Sequence, residues 1–132
     1  MKYIDKVAWL LIKDNKILST RSKGKDTFYI PGGKRELGET DIQTLVREIK
    51  EELDVDIIKE SVNYYGTFTA QSHGDIKGVM VKMTCYLASY KGLLTASSEI
   101  AEYRWLSSDD IEIISHVDKL IFFSLLKSEI IS

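Results

Sequence analysis

Three glutamates, Glu48, Glu51 and Glu52, crowd into one short stretch directly after Arg47. If that stretch is helical, side chains three and four residues apart stand one above the other, so the three carboxylates share an arc. Each like-charge pair at this spacing costs an isolated helix roughly 0.2–0.5 kcal/mol. A hard divalent cation, which takes oxygen ligands and leaves positions for water and phosphate, turns that repulsion into coordination. For the triplet alone, a solvated acidic face is the favoured explanation. What lies upstream shifts the balance: Gly32-Gly33, then a loop carrying Glu36 and Glu39.

A helix over 40–53 is needed to position these groups, and the sequence predicts one. Ile42, Leu45, Val46, Ile49 and Leu53 recur at three- and four-residue steps and form one apolar stripe. Thr40 with Gln43 has the spacing of a capping box, in which each side chain satisfies the other residue's backbone N–H. Around this helix the chain alternates apolar and polar residues. Strands are expected over 3–12, 17–21, 27–30 (stopped by Pro31), 55–58, 64–70, 79–90 and 99–106. The 79–90 segment puts Val79, Val81, Met83, Cys85 and Leu87 on one face. A polar loop over 71–78 contains His73 and Asp75. Ser107 to Asp110 reads as a helix start, and a C-terminal helix over 117–131 is expected to pack through Leu120, Ile121, Phe123, Leu125 and Ile130. Strands with one helix inserted midway and another at the end define an α/β class, a mixed sheet with both helices packed on it. The glycine loop and the acidic helix face then point into one cleft.

Bulk properties narrow the function. A chain of 132 residues, 44% apolar and 29% charged, suits one soluble domain spanning 1–132. Its net charge of -2 provides no basic footprint for duplex nucleic acid. No apolar run approaches a membrane span. Charges in Met1 to Asp5 stand where the apolar core of a signal peptide would begin, and the lone Cys85 has no disulfide partner, so a cytoplasmic protein, monomer or homodimer, is expected.

Gly33, Glu39, Arg47-Glu48-Ile49, Glu51-Glu52 and Val55 together resemble the box of the Nudix family, G-x5-E-x7-R-E-U-x-E-E-x-G-U with U aliphatic. The chain departs from it at Asp54, where the box has glycine; Asp tolerates the left-handed cap that a glycine would make there. Tyr29 to Lys34 and Tyr103 to Leu106 resemble the family's lead-in and last strand. The resemblance implies an α/β/α sandwich and a magnesium- or manganese-dependent hydrolase of a nucleoside diphosphate linked to another group. With little chain beyond the core, the expected substrate is a small nucleotide such as a (deoxy)nucleoside triphosphate. The alternatives are a nucleotide sugar, a dinucleotide, an RNA 5′ end, or a non-catalytic nucleotide-binding regulator. Carried over by position, Glu48 and Glu52 are the foremost metal ligands, with Glu51, Glu39 (through water) and the Gly33 carbonyl behind them. Arg47 is expected to hold a catalytic carboxylate in place. Glu48 is the first choice of base, and Glu99, Glu102 and His73 are candidates outside the box. Arg21 and Lys34 are candidate phosphate contacts. Phe28, like Tyr29, Tyr65 and Phe68, is a candidate to stack on a base, although core packing is the default for strand aromatics.

Overall fold

A computed structural model describes residues 2–72 and 78–132. Its centre is β1 (Lys2–Leu10), whose alternating side chains divide between two cores. Val7 and Trp9 point one way, with Leu45, Ile49 and Leu53 of the first helix; Ala8 and Leu10 point the other, with Val117, Ile121, Phe122 and Leu125 of the last. The result is a β layer between two helices, the α/β/α arrangement expected.

The expected strand over 3–12 is broken at Leu11. Its first part is β1, and its end forms β2 (Ile12–Lys13), which turns through Asp14 (φ 52°) and Asn15 (φ 62°) into β3 (Lys16–Ser22). Two successive positive φ values are what a two-residue hairpin turn demands. β4 (Phe28–Tyr29) pairs with β3, and β5 (Gly32–Lys34) lies antiparallel to β1 with Val7 opposite Gly33. Then come α1 (Asp41–Leu53), β6 (Asp56–Ile57), β7 (Asn63–Gln71), β8 (Val79–Leu87), β9 (Tyr90–Lys91), β10 (Ile100–Leu106) and α2 (His116–Lys127). A mixed sheet runs β5-β1-β8-β7, with β1 and β8 parallel; a second runs β10-β3-β2; β6 and β9 form a short pair. Among the described residues no helix is long and apolar enough to cross a membrane.

The capping box of α1 is complete: the Gln43 N–H donates to Thr40 Oγ1 and the Thr40 N–H to Gln43 Oε1. At the other end Asp54 adopts the left-handed conformation (φ 56°, ψ 36°) and its N–H donates to the Lys50 carbonyl at 3.1 Å. The expected stripe holds at Leu45, Ile49 and Leu53, with Val46 partly buried. Ile42 is displaced to the exposed side, and Thr44 is the buried residue on that turn.

α2 departs further from expectation. It stops at Lys127 instead of running to 131, and Glu129 at φ 59° turns the chain so that Ile131 is buried. The inward face is Val117, Asp118, Ile121, Phe122 and Leu125, while Leu120 and Phe123 are exposed. Asp118 is fully buried. Its Oδ2 accepts the Ile30 N–H at 2.8 Å, its Oδ1 has no partner, and burial pushes the carboxyl up to about 7.

Candidate active site

The site is assembled on two adjoining pieces of backbone, β5 and the outer face of α1. Gly32 is required by close approach: a Cβ there would lie 2.0 Å from the Val7 carbonyl oxygen. At Gly33 a Cβ would lie 2.3 Å from the Glu48 carboxyl carbon, so only glycine lets that carboxylate rest against the strand.

Arg47 is the clasp. Its Nε and Nη2 donate to the two carboxylate oxygens of Glu39 at 2.8 and 2.9 Å, its Nη1 to Glu48 Oε1 at 2.8 Å, and its Nη2 also to the Lys34 carbonyl at 3.0 Å. This planar, permanently charged fork ties loop, strand and helix together in one step. Glu39 also accepts the Glu36 N–H and the Thr44 hydroxyl, and the hydrogen bonds from Arg47 foremost hold its carboxyl down at about 2. The carboxylates reciprocally raise the Arg47 pKa, Glu39 most of all. Glu51, half exposed, stands 3.6 Å from Arg47.

Glu52 is different in kind. It is partly buried beside Glu48 and accepts from the Gly32 backbone; loss of solvent first, then the charge of Glu48 and the hydrogen bond between the two carboxyls, push its pKa well up. Two carboxyls held together in a partly buried wall are a donor set that a cation would relieve of its repulsion. Glu48, Glu52 and the adjacent Gly33 backbone suit a hard divalent ion, with Glu51 and Glu39 one step outward. Among the described residues no three His, Cys, Asp or Glu side chains form a group that could hold a metal ion by themselves.

The glutamates open into a cleft built from other elements. A cavity of about 310 Å³ lies between Glu48, Glu51, Glu52 and the segment Ser98-Glu99-Ile100. It continues into one of about 230 Å³ lined by Lys6, Thr20, Ser22, Tyr29, Gly32 and Glu52. A narrow end of about 90 Å³ follows, between Gln71, Ser72, Ser115 and His116. Lys6 sits with its Nζ 5.6 Å from the Tyr29 ring centroid.

Of the candidates outside the box, Glu99 reaches the glutamate cavity. Glu102 is tied to Arg21 and Arg104, which hold its pKa down and leave it poorly suited as a base. Arg21 accordingly faces Glu102, not an open phosphate position. Phe28 is 3% exposed within the core and Arg104 covers its ring at 5.0 Å, so its ring is core packing, not a stacking face. The Lys34 side chain is exposed, and it is its carbonyl that meets the clasp. His73 and Asp75 lie outside the described residues. Lys6, Ser22 and Ile100 were not singled out by sequence patterning: Lys6 lies opposite Lys34 in the pairing of β1 with β5, and Ile100 opposite Ser22 in that of β10 with β3.

The chain matches the family model of the NUDIX domain over residues 2–123. It is 27% identical over 113 residues to an uncharacterized Nudix hydrolase, YvcI, of Bacillus subtilis, covering 85% of this chain and 72% of that protein. It is 30% identical over 140 residues to 8-oxo-dGTP diphosphatase of Buchnera aphidicola, covering 93% of this chain and 99% of that protein. Among solved structures, the E. coli ORF135 protein superposes with a TM-score of 0.73 at 27% identity, covering 97% and 93% of the two chains. The MutT protein of Methanosarcina mazei Go1 shares the fold, with a TM-score of 0.75 at 20% identity over 96% and 95%. The protein belongs to the Nudix hydrolase family, enzymes acting on phosphorus-containing acid anhydrides.

Proposed function

We propose that this protein is a single-domain, cytoplasmic pyrophosphohydrolase of small nucleotides, foremost (deoxy)nucleoside triphosphates, working with magnesium or manganese. The observation that carries this reading is the partly buried Glu48–Glu52 pair against Gly32-Gly33, fixed by Arg47 and open to a cleft with Lys6 and Tyr29 on its wall. The activity named for the Buchnera relative, on a nucleoside triphosphate, supports it.

Water attacks a phosphorus of the anhydride: its oxygen bonds to phosphorus, the bridging P–O bond breaks, and the electron pair leaves on the departing phosphate. The proton lost by water passes through a carboxylate to solvent, a task this reading assigns to Glu48. When bound, the divalent ion supplies neutralisation of the charge that develops on the phosphate oxygens. Arg47 keeps Glu48 and Glu39 in fixed orientation, and Lys6 adds a positive charge beside the path of the phosphates.

The test is phosphate and pyrophosphate release from a panel of triphosphates, 8-oxo-dGTP, nucleotide sugars and dinucleoside polyphosphates, with magnesium or manganese. Glu52→Gln and Glu48→Gln are expected to lower kcat by about a hundredfold or more without loss of the metal-free thermal transition. Wild-type turnover in both variants refutes the assignment of the pair.

A further inference from the structure

We propose that the pocket between the 22–27 loop and Ser98-Glu99 is a second arm of the cleft, in which Lys23 and Lys25 bind the phosphate chain on the far side of the scissile anhydride from the nucleoside. This rests on the pyrophosphohydrolase reading above and assigns the substrate its direction.

The pocket, about 650 Å³, is lined by Ser22, Lys23, Lys25, Thr27, Tyr29 and Glu99, among others. It meets the glutamate cavity at Ser22, Ser98 and Glu99, and the middle of the cleft at Ser22 and Tyr29. The cleft therefore forks beside the carboxylates. One branch narrows between Gln71, Ser72, Ser115, His116 and the apolar Ile4, Val81 and Met83, with Lys6 and Tyr29 where it meets the middle of the cleft, a small lining of amide, hydroxyl, ring and methyl groups fit for a base. The other is wide and carries two lysines.

Charge pairing separates these lysines, like Lys6, from the arginines around them. Arg21, Arg35, Arg47, Arg104 and Lys50 are all engaged with carboxylates. Lys23 and Lys25 make no ion pair among the described residues, and each ammonium offers three donors to phosphate oxygens. Asp26 and Glu99 line the same pocket, and their repulsion confines an anion to the lysine side.

The loop is held ready. Arg21, clasped to Glu102 through Nε and Nη2, donates Nη1 to the Lys25 carbonyl at 2.9 Å; the Lys23 N–H donates to the Glu99 carbonyl at 2.8 Å, and the Lys25 N–H to the Ser22 carbonyl at 3.1 Å. Arg21 is thus a positioning residue for the two lysines.

Hydrolysis of a nucleoside triphosphate and of the matching diphosphate by the wild type and by the exposed-surface double variant Lys23→Ala/Lys25→Ala tests this, together with calorimetric titration of inorganic tripolyphosphate into both metal-free proteins. The double variant is expected to raise KM for the triphosphate about tenfold with kcat little changed, to affect the diphosphate less, and to lose tripolyphosphate binding. An unchanged triphosphate KM, an equal loss on both substrates, or unchanged tripolyphosphate binding overturns the proposal. If the wild type hydrolyses no nucleotide, the parent reading fails, and the titration still decides the arm.

Discussion

Helices α1 and α2 cover opposite faces of β1, yet they are built on different rules. α1 buries a stripe of Leu45, Ile49 and Leu53 and gives its remaining surface to charge: Arg47, Glu48, Glu51 and Glu52. α2 has little polarity to sort. It buries Phe122 and Leu125, leaves Leu120 and Phe123 in solvent, and places a carboxyl, Asp118, in the core. A helix that must hold several charged side chains in register needs one unambiguous buried face, because rotation about its axis would move all of them. A helix that floors a cleft with its first turn tolerates a looser pattern.

The difference can be broken most sharply by paired substitutions. Arg47→Ala is expected to lower kcat about 10–100-fold with a small change in thermal transition, since it frees carboxylates from their clasp. Leu125→Ala on the other face is expected to cost about 2–5 kcal/mol in denaturant unfolding while leaving the rate per folded molecule near wild type. If Leu125→Ala lowered kcat as Arg47→Ala does, the division of labour would be wrong.

A smaller effect separates the faces by pH. Asp118 has its folded-state pKa raised from 3.8 to about 7 by burial, so the folded protein holds that proton more tightly than the unfolded chain. The contribution is full below the unfolded value, declines as pH rises, and is lost once pH passes the folded value near 7. Asp118→Asn, which keeps an acceptor for the Ile30 N–H, is expected to flatten urea-unfolding stability between pH 4 and 7. Glu39 on the other face has the opposite sign: its support is present at neutral pH and fades as pH falls towards about 2. A pH profile unaltered in Asp118→Asn would remove Asp118 as its source. The smallest change expected is at the end of α1: Asp54→Gly should add about 0.5–1 kcal/mol by relieving a left-handed non-glycine residue, read as a rise in midpoint denaturant.

The same contrast explains what could be read from sequence. The α1 stripe, its capping box and the left-handed Asp54 were legible because each is a local pattern, set by residues within a turn or two. The box glutamates and Arg47 were legible for the same reason. The α2 face was misjudged because apolar residues occur all round it, and a period cannot be found where every phase is apolar; a buried carboxyl has no sequence signature. Arg21 reads from sequence as a candidate phosphate contact, but the pairing of β3 with β10 puts Glu102 opposite it, a partner 81 residues away. Lys6, Tyr29 and Ile100 meet only through tertiary pairing, and Phe28 shows that an aromatic near a motif is placed by its strand, not by its neighbours in sequence.

The parallel pairing of β1 with β8 bears on how an active molecule is first made. β1 leaves the ribosome early, but its partner follows only after α1 and β7 have been synthesised. Gly33 docks on Val7 of this same strand, but the cleft beside Glu52 is also lined by Met83 and Ile100, so it is unfinished until a long loop has closed. A newly made chain should therefore form its α1 turns quickly and gain the ability to bind substrate late, as one of the last events of folding.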